Sequence, residues 1–282
     1  MLASDAVDVS FIIPTYRRPA LLAEALRSIL ELRSDSIEVL VIDDSPDGEG
    51  AQAVADCNDA RIHYSRRAVP TQGWPAKLRN QAAAQARAPV LHFLDDDDVV
   101  IGSGLAAALA EFRQSDAGVL ISSPVPFGDA PGKVESEAAF FNRAWNELAS
   151  KPSPARLSAH LIFSDTLLTT SACMIKRDTF TAIDGFDETI ALAEDVDFYA
   201  RAIAAHGYLL TQRCFVRRRV GQPSMIANAR QEDLGRPYSQ MRQGFRKRHG
   251  ILTYLAYRVY HLLRRRFPAR QPESGSLPFR QT

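Results

Sequence analysis

The stretch Val90-Leu91-His92-Phe93-Leu94-Asp95-Asp96-Asp97-Asp98 constrains this chain more than any other: five mostly apolar residues run straight into four consecutive carboxylates. A short apolar run of this kind reads as a buried strand, and its abrupt end in acid delivers the charges to the carboxyl edge of a sheet. Four neighbouring like charges repel one another, so a chain that keeps them ordered has a use for a cation there. A solvated acidic turn is the alternative that the run alone leaves open.

The residues before this run repeat its arrangement. Val9 to Ile13 reads as a strand that stops at Pro14-Thr15-Tyr16. Pro19 then suits the first turn of a helix, in which Leu22, Ala25, Leu26, Ile29 and Leu30 recur at helical spacing. Ile37 to Ile42 reads as a second strand, ending in the turn-forming acidic loop Asp43-Asp44-Ser45-Pro46-Asp47-Gly48. A helix near Glu49 to Cys57, a short strand at Arg61 to Ser65 and an alanine-rich helix from Ala76 to Ala88 lead into the acidic strand. Strands alternating with helices predict an α/β fold whose central sheet is mostly parallel and flanked by helices. Ligands of such sheets lie at the carboxyl ends of the strands, where both acidic loops fall.

Beyond the acidic run the pattern predicts a helix over Ser103 to Gln114, a strand at Gly118 to Ser122, a loop from Pro124 to Lys133, a helix near Glu137 to Ala149 and a linker at Lys151-Pro152-Ser153-Pro154. Leu167 to Ile175 is rich in threonine and small residues and is followed by a turn at Lys176-Arg177-Asp178. Glu194-Asp195-Val196-Asp197 opens a helix that runs to His206 and stops at Gly207; acids in a first turn favour the helix dipole, which by itself accounts for their placement. A last strand, Tyr208 to Val216, ends in Arg217-Arg218-Arg219. From Leu252 onward, Leu255, Ala256, Val259, Leu262 and Leu263 form a helical apolar stripe flanked by Arg246, Lys247, Arg248, Arg258, Arg264, Arg265 and Arg266. Such a helix either lies in an anionic membrane surface or packs on the domain, and the sequence leaves both readings open.

Composition narrows the classes of function. With 46% hydrophobic and 24% charged residues among 282, the chain reads as an ordinary soluble protein, and its net charge of +1 implies no bulk polyanion such as nucleic acid as a partner. The cysteines Cys57, Cys173 and Cys214 are odd in number and far apart, against both a disulfide framework and a structural zinc site, and they fit a reducing cytoplasm. No secretory leader is expected, and no apolar stretch reaches the roughly 18 residues of a membrane span.

Three acidic ends, Asp43-Asp44, Asp95 to Asp98 and Glu194-Asp195, suit a divalent cation with a diphosphate and one further carboxylate free to act as a base. At this point the chain resembles the family 2 glycosyltransferases of the Rossmann-like GT-A fold. The resemblance runs from about Val9 to Val220 through Ser10-Phe11-Ile12-Ile13-Pro14-Thr15-Tyr16-Arg17-Arg18, Val41-Ile42-Asp43-Asp44-Ser45, Arg79-Asn80, Phe93-Leu94-Asp95-Asp96-Asp97-Asp98, Gly185-Phe186-Asp187-Glu188 and Glu194-Asp195-Val196-Asp197-Phe198. It implies a domain over residues 1–222, with a nucleotide-binding half at about 8–100 and an acceptor-binding half at about 101–222. A basic helical appendage over 223–267 and a disordered tail over 268–282 would follow.

The resemblance also implies roles. Pro14 and Tyr16 would enclose the nucleotide base, Asp44 would accept the N3 proton of uracil or thymine, Arg79 would approach the diphosphate and Asp96 would lie toward the ribose. Asp95 and Asp97 match the Asp-x-Asp signature, with Asp97 the direct ligand of Mg²⁺ or Mn²⁺. Asp195 would deprotonate the acceptor hydroxyl, with Glu194 and Asp197 supporting it or touching the acceptor. The family inverts at the anomeric carbon, so the expectation is a single displacement that moves one sugar from a nucleotide-sugar donor, UDP- or dTDP-linked, to a glycan or lipid-linked acceptor. The expected place is the cytoplasm, peripheral on the inner face of the membrane.

Two departures from the family stand out. Some relatives supply a late histidine as a metal ligand, whereas Tyr208 to Met225 has none and instead carries Arg217, Arg218 and Arg219, one of which could assist the leaving group. The chain also lacks the Gln-x-x-Arg-Trp signature of processive synthases. Three other readings compete: a non-catalytic nucleotide- or metal-binding protein of the same fold, a sugar-nucleotide pyrophosphorylase, for which Pro14-Thr15-Tyr16-Arg17 lacks glycine, and a dehalogenase-type phosphatase, whose acidic motif belongs near the N-terminus.

Overall fold

A computed structural model of the chain describes residues 7–34, 36–71, 74–150, 153–163, 167–190, 192–222 and 231–266, the side chains of the last segment over 238–262. The tail expected over 268–282, and the side chains of Leu263, Arg264, Arg265 and Arg266, lie outside the described residues.

The first half follows the apolar pattern. The elements in order are β1 (Val9–Thr15), α1 (Pro19–Leu30), β2 (Ile37–Asp43), α2 (Gly50–Cys57), β3 (Ile62–Arg66), α3 (Pro75–Ala83) and β4 (Val90–Phe93). Every residue of β2 and β4 is buried, because helices cover both faces of the sheet. Alternate residues of β1 and β2 then serve two cores. Ile12, Leu40 and Ile42 enter one with Phe93, Phe186 and Phe198, while Phe11, Ile13, Val39 and Val41 enter the other with Leu22, Leu26 and Ile29 of α1. Strand β1 pairs in parallel with β2 on one side and with β4 on the other, Ile12 standing opposite Phe93, so the ends of all three strands meet at one edge.

Helix α3 ends at Ala83 rather than at Ala88. Further on, the amide of Arg87 is taken by Glu38 at 2.7 Å and that of Ala88 by Ser10 at 3.1 Å, which pulls the chain back to the sheet just ahead of Pro89.

The second half departs further from the sequence pattern. Its elements are β5 (Val99–Val100), α4 (Gly102–Arg113), β6 (Val119–Ile121), β7 (Val125–Phe127), α5 (Pro131–Ala149), α6 (Pro154–Phe163), a 3-10 turn at Thr170–Ala172, β8 (Cys173–Lys176), α7 (Arg177–Ala182), α8 (Glu194–His206), β9 (Tyr208–Leu210), β10 (Val216–Arg219) and α9 (Gln231–Arg266). The main sheet has seven strands in the order β3-β2-β1-β4-β8-β6-β9, with β8 antiparallel to both neighbours and the other pairs parallel.

The single strand expected over Tyr208 to Val216 is two strands in two sheets. Thr211 donates its amide to Ile121 and its hydroxyl to Glu111, after which the chain leaves the sheet edge; β10 joins a small sheet of order β5-β10-β7. Arg217, Arg218 and Arg219 therefore lie within a strand rather than after one. The loop expected from Pro124 likewise contains β7, and the turn expected at Lys176-Arg177-Asp178 opens α7.

Helix α9 breaks at Gly250, whose φ of 81° and ψ of 162° suit only glycine, and its two arms pack back on α6: Phe163 meets Phe245 of one arm and Tyr254 of the other. Among the described residues no helix is long and apolar enough to cross a membrane.

Candidate active site

A cleft of about 750 Å³ opens at the carboxyl ends of β1 and β4. Of the residues singled out in the sequence, Pro14, Tyr16, Arg79, Asp95, Asp96, Asp97, Glu194 and Asp195 line it; Asp44 and Asp197 do not.

The acidic loop is held from several sides. Thr15, at the end of β1, donates its hydroxyl to Asp96 at 2.7 Å. Arg18, at the mouth of α1, reaches Asp97 at 3.1 Å and Asp96 at 3.4 Å. The amide of Asp95 donates to the Ser171 hydroxyl at 3.1 Å, and Asp98 accepts the amide of Arg219 at 2.9 Å. Burial pushes the Asp96 carboxyl up to about 7, with the Thr15 hydrogen bond opposing and the neighbouring charge of Asp97 adding to the rise. Asp97 and Asp98 are raised as well, burial first and the Asp95 charge second. Asp96, Asp97 and Asp98 thus sit in a pocket where burial and neighbouring negative charge disfavour their ionised forms.

Arg79 bridges this loop to the start of α8. One guanidinium nitrogen donates to Glu194 at 2.6 Å and another to Asp95 at 2.9 Å, with the side chain only 6% exposed. The chain enters α8 through Ala193 at φ 58°, a left-handed conformation that alanine adopts at a cost, and that turn places Glu194 and Asp195 in the cleft. Asp195 accepts the Val196 amide at 2.8 Å and the Thr170 hydroxyl at 3.2 Å, which fix its orientation. Burial raises both carboxyls, that of Glu194 to about 7 despite the Arg79 charge, and that of Asp195 in the same direction.

Asp197 points the other way. Its carboxylate is 1% exposed and pairs with Arg201 at 2.7 Å and with Arg248 of α9 at 3.1 Å. Asp44 is also engaged outside the cleft: it accepts the Thr71 amide at 2.8 Å and hydroxyl at 2.9 Å, with Arg67 at 3.6 Å. Its neighbour Asp43 ties the loop after β2, accepting from Ser45, Gly50 and Tyr64.

The Arg217-Arg218-Arg219 run splits in function. Arg218 and Arg219 line the cleft, whereas Arg217 lies over the Phe127 ring at 4.4 Å. Arg219 grips the Asp97 carbonyl at 3.1 Å as well as Glu24, and Arg218 pairs with Glu137. Lys133 adds another cation to the lining. Arg18, Thr15, Thr170 and Lys133 are site residues that the sequence reading passed over. Arg18 sits inside a quoted motif, yet only the folded juxtaposition of β1 with β4 shows what it faces.

Among the described residues no three His, Cys, Asp or Glu side chains are grouped to hold a metal ion by themselves. The donor set still fits a hard divalent cation that completes its shell from a diphosphate and water, since Asp95 and Asp97 offer oxygen ligands at the cleft surface, 38% and 18% exposed.

The family described as "Glycosyl transferase family 2" matches residues 10–180, ending before Glu194 and Asp195. The GalNAc(5)-diNAcBac-PP-undecaprenol beta-1,3-glucosyltransferase of Campylobacter jejuni is 30% identical over 113 residues, 39% of this chain and 36% of that protein, so the chain spans little over a third of that relative. The succinoglycan biosynthesis protein ExoU of Rhizobium meliloti is 27% identical over 252 residues, 84% of this chain and 69% of that protein. Among solved structures, S. aureus TarS 1-349 in complex with UDP-GlcNAc superposes with a TM-score of 0.68 at 20% identity, covering 93% of this chain and 73% of that one. With the match spanning more than half of the sequence and the GT-A arrangement of sheet and helices in place, the chain belongs to glycosyl transferase family 2 and is a transferase enzyme.

Proposed function

We propose that the enzyme moves one sugar from a uridine or thymidine diphosphate donor to a hydroxyl of a glycan or lipid-linked acceptor, with inversion at the anomeric carbon. The observation that carries this reading is that one cleft joins the acidic loop Asp95 to Asp98 to the buried, oriented carboxylate of Asp195. Asp195 takes the proton of the acceptor hydroxyl as its oxygen bonds to the anomeric carbon, and the nucleoside diphosphate leaves from the opposite face. Its raised affinity for protons makes the ionised carboxylate a stronger base than an exposed aspartate. Glu194 and Arg79 hold the floor beneath it.

Tyr16 and Pro14 line the side of the cleft where a base would stack. Arg18 and Arg218 act on Asp97, and Lys133 lines the same cleft; together they would supply positive charge for the diphosphate. A Mg²⁺ or Mn²⁺ ion held by Asp97, with Asp95 beside it, would act as a Lewis acid on the departing diphosphate. Asp44, fully buried and already accepting from Thr71, would take a uracil or thymine N3–H once the 67–71 segment moves to expose its carboxylate.

The relatives support these choices of substrate. TarS is crystallised with UDP and with UDP-GlcNAc, the Campylobacter enzyme is named for a PP-undecaprenol substrate, and ExoU for succinoglycan biosynthesis.

Thermal melting with UDP, dTDP, GDP and CMP, each with and without Mn²⁺, tests the donor half of the reading. At a concentration near 100 times its dissociation constant, UDP or dTDP with Mn²⁺ is expected to stabilise the fold by about 2.7 kcal/mol. Asp97→Asn is expected to abolish that shift. No shift with any nucleotide, with or without metal, would reject the donor assignment.

A further inference from the structure

The two arms of α9 enclose, against α6, a second cavity of about 410 Å³. Its polar wall is Arg242, Arg246 and Arg258 with Ser239 and Gln243, and the ring of Phe163 faces it from α6. Among the described residues none of these three arginines has a carboxylate partner, in contrast to Arg248 beside them, which holds Asp197. The Arg242 Nε is buried and makes no hydrogen bond. A desolvated guanidinium nitrogen without an acceptor is costly, and Arg246 and Arg258, exposed along the same hollow, add positive charge with no acid beside it, which suits an anion with several oxygens.

The same hairpin carries a bare apolar face. In the second arm Tyr254, Tyr257 and His261 pack toward the body, while Leu252, Leu255 and Val259 stand 80%, 45% and 52% exposed; Leu262, 59% exposed, also lines the cavity, so the apolar face and the cavity share an edge. From Met241 to Arg266 the sequence has eight Lys and Arg and no Asp or Glu, within a chain whose net charge is +1. A free phosphate ion needs the arginines but gains nothing from an exposed leucine stripe. A bilayer surface uses both.

We propose that the α9 hairpin seats the enzyme on an anionic bilayer, the leucine face entering the interface and the arginine-lined cavity taking the phosphate of a phospholipid headgroup. This inference stands apart from the donor chemistry above, since its readout is binding rather than turnover.

Co-sedimentation of the full chain with vesicles of phosphatidylcholine alone, or mixed in equal parts with phosphatidylglycerol, tests it. The wild type is expected to bind the mixed vesicles selectively. Arg242→Gln/Arg246→Gln/Arg258→Gln is expected to weaken that binding about a hundredfold, each arginine near an anionic surface contributing roughly 1 kcal/mol. Leu252→Ser/Leu255→Ser/Val259→Ser should likewise abolish binding to the mixed vesicles. Both variants are to melt as the wild type does; if the triple arginine variant does not, Arg258→Gln alone, with about a fivefold loss, decides. Equal binding to both vesicle types by the wild type, no binding at all, or unchanged binding by the arginine variants would overturn the proposal. So would inorganic phosphate alone stabilising the wild type as strongly as the mixed vesicles do, because the cavity would then be a soluble-anion site.

Discussion

Asp195 bears the sharpest demand placed on any single side chain. As the base of the proposed reaction it would have to be ionised to accept a proton, yet burial raises its carboxyl above the ordinary aspartate value, and Glu194 beside it is raised to about 7. The sign follows directly: as pH falls through the raised value Asp195 becomes protonated and kcat declines, so the acid limb of the rate profile lies higher than an exposed aspartate would place it. Asp195→Asn is expected to lower kcat by about 10² to 10⁴ and to remove that limb from the residual rate, while stabilisation by nucleotide stays as in the wild type. A kcat unchanged in the variant would take the base role from Asp195. At this scale the acids were legible in the sequence because carboxylates at the ends of apolar runs stand out. Their partners were not: Thr15, Arg18 and Thr170 acquire meaning only where separate loops cross at the cleft.

At the scale of elements, the quoted motifs Arg79-Asn80 and Gly185-Phe186-Asp187-Glu188 prove to be two sides of one clamp. The Asn80 amide donates to the Phe186 carbonyl at 2.9 Å and to Glu188 at 3.0 Å, and it accepts the Phe186 amide at 2.9 Å. Gly185 sits at φ 62° with room for no Cβ, since one would stand 2.6 Å from the Asn80 side-chain oxygen. The clamp sets the Phe186 ring against Phe198 of α8, centroids 3.8 Å apart, and thereby braces the helix that carries Asp195. Asn80→Ala leaves both backbone groups of Phe186 unpaired in the core; the expected cost is about 2 kcal/mol, read as a fall in Tm of about 6 °C. The first half of the fold was readable because runs such as Ile37 to Ile42 and the Leu22-Leu26-Ile29 stripe obey a strict period. The small sheet was not, because strands as short as Val99–Val100 and as polar as Val216–Arg219 are selected by long-range pairing that leaves no local pattern.

Across the whole molecule, α8 stands between two surfaces. Its first turn gives Glu194 and Asp195 to the cleft and Asp197 to Arg248 of the α9 hairpin, so the cleft carboxylates and the basic hairpin are referenced to one start of helix. Arg79 extends the same economy to the other side, since a single guanidinium serves both Asp95 of the acidic loop and Glu194 at the start of α8. Whatever engages Asp95 competes for that guanidinium, and Glu194 must answer by rearranging next to Asp195. Under the proposed mechanism, donor arrival would be felt at Glu194 before any acceptor is present, and the nucleotide-sugar would add first. Hydrogen exchange at the amides of residues 194–198 should change when UDP and Mn²⁺ are added to the wild type, and the change should vanish in Arg79→Lys, whose point charge cannot bridge both acids. Exchange that ignores the nucleotide in the wild type would remove the coupling; exchange that follows it would mean that a buried arginine keeps the two substrates from meeting out of turn.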